Sequence, residues 1–178
     1  MPADNSSTVA KPSSRLRELG LVLPKAPTPL GAYVEGSEVG SLLFLSGMLP
    51  VVNGKLSITG RLGENLSVEE GREAVRIAAM NALAVAQQHL GDLDRVKKLV
   101  KLSVVLTTTE QFVEHATVAD GASDLFCSCT GCRHLPGCIS RCWSRTWPAN
   151  RKDDPLPKCI FSTRGISHWI CSRKKSSA

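Results

Sequence analysis

Composition changes abruptly at Phe126, and that break limits what the chain can build. All seven cysteines (Cys127, Cys129, Cys132, Cys138, Cys142, Cys159, Cys171) and all three tryptophans (Trp143, Trp147, Trp169) lie beyond it. Charge divides at the same point: residues 1–126 hold 12 Lys+Arg against 14 Asp+Glu, whereas residues 127–178 hold 10 against 2. The net charge of +6 therefore belongs to the tail and describes no basic groove on the leading part. A length of 178 residues suits one core of ordinary size. Three segments are expected: a disordered N-terminus over 1–14, one folded unit over 15–126, and an aberrant tail over 127–178.

Nothing in Met1 to Lys11 resembles a secretory signal or an Arg-rich transit peptide. The longest apolar stretch, Leu42 to Val52, is broken by Ser46, Gly47 and Pro50, so no membrane span fits. A cytoplasmic protein without membrane contact is the expectation.

The folded unit carries strong local signals. Ser14 to Leu19 suits a short helix, after which Pro24, Pro27 and Pro29 impose an extended connection. Leu42 to Ser46 reads as a short strand, and Asn53-Gly54 between Val51-Val52 and Leu56 to Ile58 is a hairpin signal. Ser67 with Glu70 forms a capping box, and Ala74, Ile77, Ala78, Leu83, Ala86 and Leu90 then keep one helical face until Gly91. Val96 to Thr107 alternates with period two and reads as a half-buried strand. Gln111 to Phe126 suits a second helix with Phe112, Val118, Ala122 and Phe126 inward. These elements predict an α+β layer in which one sheet face takes both helices.

Five runs in order, "RLRELGLVLPKAPTPLGAY" (Arg15 to Tyr33), "LLFLSGMLP" (Leu42 to Pro50), "TGRLGENLSVEEGREAVRIAAMNALA" (Thr59 to Ala84), "GDLDRVKKLVKLSVVL" (Gly91 to Leu106) and "GASDLF" (Gly121 to Phe126), resemble the RidA/YjgF/UK114 family, also called L-PSP endoribonuclease-like. The resemblance is to the subgroup with a long "RLxxLGxxLP" N-terminus and covers residues 15–126. It implies a chorismate-mutase-like βαββαβ layer, a homotrimer with a cleft between subunits, and hydrolysis of enamines and imines such as 2-aminoacrylate to a 2-oxo acid and ammonia. Neither a metal nor an organic cofactor is implied. The substrate is a small carboxylate-bearing molecule.

By the same resemblance, Tyr33 of "GAY" and Ser46 of "SGM" stand where the family places cleft residues, and both supply polar orientation only. Ala32 replaces a Pro, Met48 replaces a Gln, and Asp120 stands for an Asn. The family's carboxylate-holding Arg ("ARS"-like) and closing Glu ("EVEA"-like) belong after the second helix, where neither motif is found. Arg133 and Arg141 have no matching frame around them. The closing strands are thus expected to be lost and the activity impaired. Without the family, Tyr33 is an ordinary packed aromatic, Met48 and Met80 are core, His89 is a helix-terminal charge or a surface residue, and His115 lacks a catalytic partner.

Three readings compete for the tail. Cys127, Cys129 and Cys132, followed by His134, Cys138 and Cys142, supply enough soft ligands for zinc but lack paired CxxC spacing. Seven cysteines on a cytoplasmic chain argue against a disulfide framework. A frameshift, mis-splice or pseudogene explains more. Cysteine codons displaced by one nucleotide encode Val or Ala, which is what this fold needs at the end of its second helix and in its next strand.

Three classes of function remain: an impaired enamine/imine deaminase, a non-catalytic ligand-binding or regulatory trimer, and an endoribonuclease or RNA-binding protein. The last is disfavoured because the folded unit is slightly acidic and poor in aromatic residues for stacking.

Overall fold

A computed structural model of the chain describes residues 11–29, 31–130, 138–143 and 169–173, the last two segments through their backbone pairing. Helix α1 spans Pro12–Glu18, with proline at its first position, where a missing N–H costs nothing. Its start is tied down by the Ser13 amide, which donates to Asp94 Oδ1 at 2.9 Å. Strands β1 (Gly36–Val39) and β2 (Leu42–Leu45) form an antiparallel hairpin turned at Gly40, whose φ is +59°. The sequence pattern missed β1 because three of its four residues are exposed and no alternation develops. Strands β3 (Val51–Val52) and β4 (Lys55–Leu56) pair across Asn53 (φ 51°) and Gly54 (φ 78°), the two left-handed positions that an Asn-Gly turn supplies.

Helix α2 runs from Val68 to Leu90, as the capping box and Gly91 require. Ser67 Oγ accepts from the Glu70 amide, and Glu70 Oε2 accepts from the Ser67 amide at 2.8 Å. Gly91 ends the helix at φ 74°. Ala74, Ala78, Leu83, Ala86 and Leu90 are buried, and Ile77 is half-buried.

The hydrogen bonds from Ser67 to Glu70, backbone first, hold the Glu70 carboxyl below its ordinary value of 4.5. A depressed folded value means stability that is complete above the unfolded value and is lost as pH falls through the folded one. The difference in melting temperature between wild type and Glu70→Gln should therefore be present at neutral pH and vanish in acid. A difference that persists unchanged well below pH 4.5 would show that the carboxylate is not what closes the box.

One polar side chain inside the core had no sequence signal. Asn81 is 1% exposed and its amide donates to Leu49 O at 2.9 Å and Val51 O at 3.0 Å, fastening α2 to the β2–β3 connection. Replacing it with Ala leaves both carbonyls without this donor, so Asn81→Ala should cost about 2 kcal/mol. Chemical denaturation checks this, and a loss below about 0.5 kcal/mol would mean that the connection refolds around the gap.

Strand β5 spans Val96–Thr107, the range its alternation predicts. Helix α3 spans His115–Thr130. It starts four residues later than the pattern suggests, because the Thr109 amide bonds Leu62 O and the Phe112 amide bonds Thr109 O, which holds this stretch in a turn. Phe112 therefore packs against the core from before the helix, whereas Val118, Ala122 and Phe126 are buried from within it. The helix also continues through the composition break: Cys129 is wholly buried and Thr130 is buried behind it.

The closing strands expected to be lost are present as backbone. β6 (Cys138–Trp143) pairs parallel with β5, and β7 (Trp169–Arg173) pairs antiparallel with both β2 and β5. The sheet order is β1-β2-β7-β5-β6. Main-chain groups make these ladders, so a segment without family-like side chains can still occupy a slot that would otherwise leave two strand edges unpaired. β7 meets β5 with irregular register between Val96 and Lys98 and between Leu99 and Lys101. Both helices contribute to the same core as the sheet.

Candidate functional site

Tyr33 and Ser46 come together along the start of the β1–β2 hairpin. The Ser46 amide donates to Glu35 O at 2.9 Å and its hydroxyl donates to Val34 O, so this serine staples the 33–35 segment to the end of β2. Tyr33 is 48% exposed in that segment, its ring beside Gly31, and Val34 next to it is 67% exposed. An exposed tyrosine and valine on a backbone clamped by serine make a wall with one polar tip, not a pocket. Neither the groove between α2 and α3 nor the small apolar cavity beneath Phe126 is lined by either residue.

His89, expected at the surface, is exposed in the last turn of α2 but lies against Gly36. A Cβ at Gly36 would sit 3.1 Å from His89 Nε2, so the missing side chain is what admits the ring. Gly36 pairs with Leu45, whose side chain faces the core, so His89 approaches from the helical side of the hairpin. His115 Nε2 is buried without a hydrogen-bond partner among the described residues, and its ring meets Phe112 edge-on with centroids 5.1 Å apart. Met48 is buried in the core and Met80 packs against it. Asp120 is exposed on α3.

Among the described residues no group of three or more His, Cys, Asp or Glu could hold a metal ion. Cys127 is half-buried, and burial pushes the Cys129 thiol up to about 11. A thiol so reluctant to ionise is a core residue and a poor ligand. The remaining cysteines and His134 of the zinc reading have side chains outside the described residues.

Sheet order decides what one subunit can assemble. Ser46 follows β2, and β6, the strand after the second helix, lies beyond β7 and β5. Three interstrand steps separate β2 from β6, about 14 Å at about 4.8 Å each. The fold and the sequence series recur in known proteins. A family model for YjgF/chorismate-mutase-like proteins, named as endoribonucleases, matches residues 13–143. The chain belongs to the RidA/YjgF family. The match runs past Phe126 and takes in β6, further than the motifs alone reach.

Relatives of this RidA/YjgF chain include Protein TCP17 of Trypanosoma cruzi, 42% identical over 119 residues, which cover 67% of this chain and 74% of that protein. A structure from Shewanella oneidensis MR-1, named as an endoribonuclease, superposes with a TM-score of 0.73 at 33% identity, covering 92% of this chain and 99% of that one. A protein of unknown function from Agrobacterium tumefaciens gives a TM-score of 0.68 at 28% identity, with 91% of each chain covered. Among the described residues no helix is long and apolar enough to cross a membrane.

Proposed function

We propose that this chain is an enamine/imine deaminase scaffold, homotrimeric and cytoplasmic, taking small carboxylate-bearing intermediates of the 2-aminoacrylate type, with activity impaired by its tail. The supporting observation is the distance between the two parts of the site. The Tyr33/Ser46 wall and β6 lie at separate places on one sheet, about 14 Å apart by strand spacing. A three-carbon substrate is too short to touch both, so a complete site needs a neighbouring subunit to bring its own β6 to this wall. Exposed apolar side chains at Tyr33, Val34 and Val39 give that neighbour something to cover.

In this reading a cation holds the substrate carboxylate, while Tyr33 and Ser46 orient the imine and the attacking water. Water adds to the imine carbon, the C–N bond breaks, and ammonia leaves a 2-oxo acid. The backbone of Arg141 on β6 is in register with Val105, but no "ARS"-like frame surrounds it, so this cation is what the chain lacks and its activity is weak. The serine hydroxyl is already committed to Val34 O, so it acts through its oxygen lone pairs or by holding the wall in place.

Sedimentation of the purified chain, run beside 2-aminoacrylate decay, tests the proposal. The expected outcome is a trimer with weak acceleration, reduced about tenfold further by a Tyr33→Phe/Ser46→Ala double variant that still assembles. A monomer with undiminished deaminase activity would refute the shared-site reading. A trimer that binds carboxylates but never accelerates decay would favour the regulatory alternative, and RNA cleavage with a steep salt dependence would favour the ribonuclease.

A further inference from the structure

Residues of α2 and α3, with Leu19 and Leu21, line a groove of about 340 Å³ that the proposed deaminase site does not use. Its charges alternate. Arg72 is fixed, with Nη2 on Asp124 Oδ2 at 3.1 Å and Nη1 on Thr117 O at 3.3 Å, so its donors are largely taken. Arg76 lies one helical turn further along the same face. It forms an exposed ion pair with Glu73 on its own helix at 3.7 Å, too long for a hydrogen bond, and the side chain is 44% exposed. Arg76 lines the groove, and among the described residues that long, half-exposed ion pair is all that a ligand carboxylate would have to displace. Ser128, one turn after Asp124 on α3, lines the same groove and has no hydrogen-bond partner among the described residues.

Glu69, one turn before Glu73, likewise has no ion-pair partner among the described residues. Leu125 lines the groove from α3, and Leu19 and Leu21 close one end where the chain leaves α1.

This arrangement discriminates between ligand charges. A simple anion at Arg76 would face the carboxylates of Glu69, Glu73 and Asp124. A simple cation would face Arg72 and Arg76. A molecule carrying a carboxylate and an ammonium on adjacent atoms satisfies both sets at once, and an apolar side chain on it has the leucine end to occupy. We propose that the groove between α2 and α3 binds a free α-amino acid with an apolar side chain. Its carboxylate pairs with the Arg76 fork and the Ser128 hydroxyl, and its ammonium pairs with Glu69 and Glu73. The volume lies within the range of small-molecule pockets. The site would let a metabolite related to the substrate class report on the scaffold from outside the cleft.

Calorimetric titration of the full chain with L-leucine tests this, with 4-methylpentanoate (no ammonium) and 3-methylbutylamine (no carboxylate) as comparison ligands. Leucine should bind, with each comparison ligand weaker by about tenfold or more. Arg76→Gln and Glu69→Gln, both on exposed helical positions, should each weaken leucine binding by about tenfold with the helical circular dichroism unchanged. Tyr33→Phe/Ser46→Ala should leave leucine affinity as it is, which separates this site from the deaminase wall. No detectable binding of leucine, equal binding of the three ligands, or leucine affinity lost in the Tyr33/Ser46 variant but kept in Arg76→Gln would each overturn the assignment.

Discussion

Hydrolysis of 2-aminoacrylate should rise about a hundredfold or more when residues after Phe126 are replaced by a family-like ending that carries the "ARS"- and "EVEA"-like motifs. The physical basis is a single ion pair. A substrate carboxylate needs a cation in a fixed place, and a bidentate Arg supplies orientation as well as charge. Removing one donor of this kind from a transition state typically costs about 2.7–4 kcal/mol, about a hundredfold to a thousandfold in rate. β6 supplies a strand in the right slot, but its residues, Cys138–Trp143, contain neither motif. Backbone pairing can complete a sheet without completing a site. Following decay of the enamine with purified chain and graft side by side gives the answer. Equal, fast turnover by both would show that residues 1–126 suffice and that the tail is no impediment.

The second large effect is on stability, at the crossing of the two long helices. Gly121 of α3 is buried against the backbone of α2, and a Cβ built there would lie 2.3 Å from Arg72 O. Main-chain carbonyls cannot rotate away as a side chain can. Gly121→Ala gains about 1 kcal/mol in helix propensity. Forcing the helices apart costs up to about 3 kcal/mol and loosens the Arg72 bonds to Thr117 O and Asp124 as well, so the clash wins. A net loss of about 2 kcal/mol in urea unfolding is expected, against a change within about 0.5 kcal/mol for the exposed Asp120→Ala on the same helix. If Gly121→Ala proves as stable as wild type, the two helices do not make their close crossing at Gly121.

The same crossing explains a feature of the groove. Because Gly121 lets α3 approach α2 closely, Arg72 can span to Asp124 and its guanidinium is tied to α3. Loss of the crossing in Gly121→Ala should therefore weaken leucine binding too, although Arg76 itself is untouched.

Much of the first 126 residues was legible because the deciding interactions are local. The capping box needs only Ser67 and Glu70, the type of hairpin turn needs only Asn53 and Gly54, and the helical stop needs only Gly91. The alternation over Val96–Thr107 sets a strand with Leu102, Val104 and Leu106 inward, all buried. Tyr33 and Ser46 were singled out only through the family motifs, and the fold bonds Ser46 to the backbone of Val34 and Glu35, next to Tyr33.

Tertiary structure alone decided the rest, since those choices depend on groups far apart in the chain. α3 starts at His115 because Leu62 O and Thr109 hold the preceding turn, a contact that no window around Gln111 contains. Asn81 is polar in an apolar face because two carbonyls from the β2–β3 connection meet it inside the core. Strands β6 and β7 join the sheet through main-chain ladders that carry no side-chain period to read. Apart from β1 and the start of α3, the sequence by itself determined which segments would be helix, hairpin and strand up to Phe126, through bonds spanning a few residues. Only the folded sheet decided that β2 and β6 stand three strands apart, because strand order is set by long-range backbone pairing and by the core that both helices bury against it.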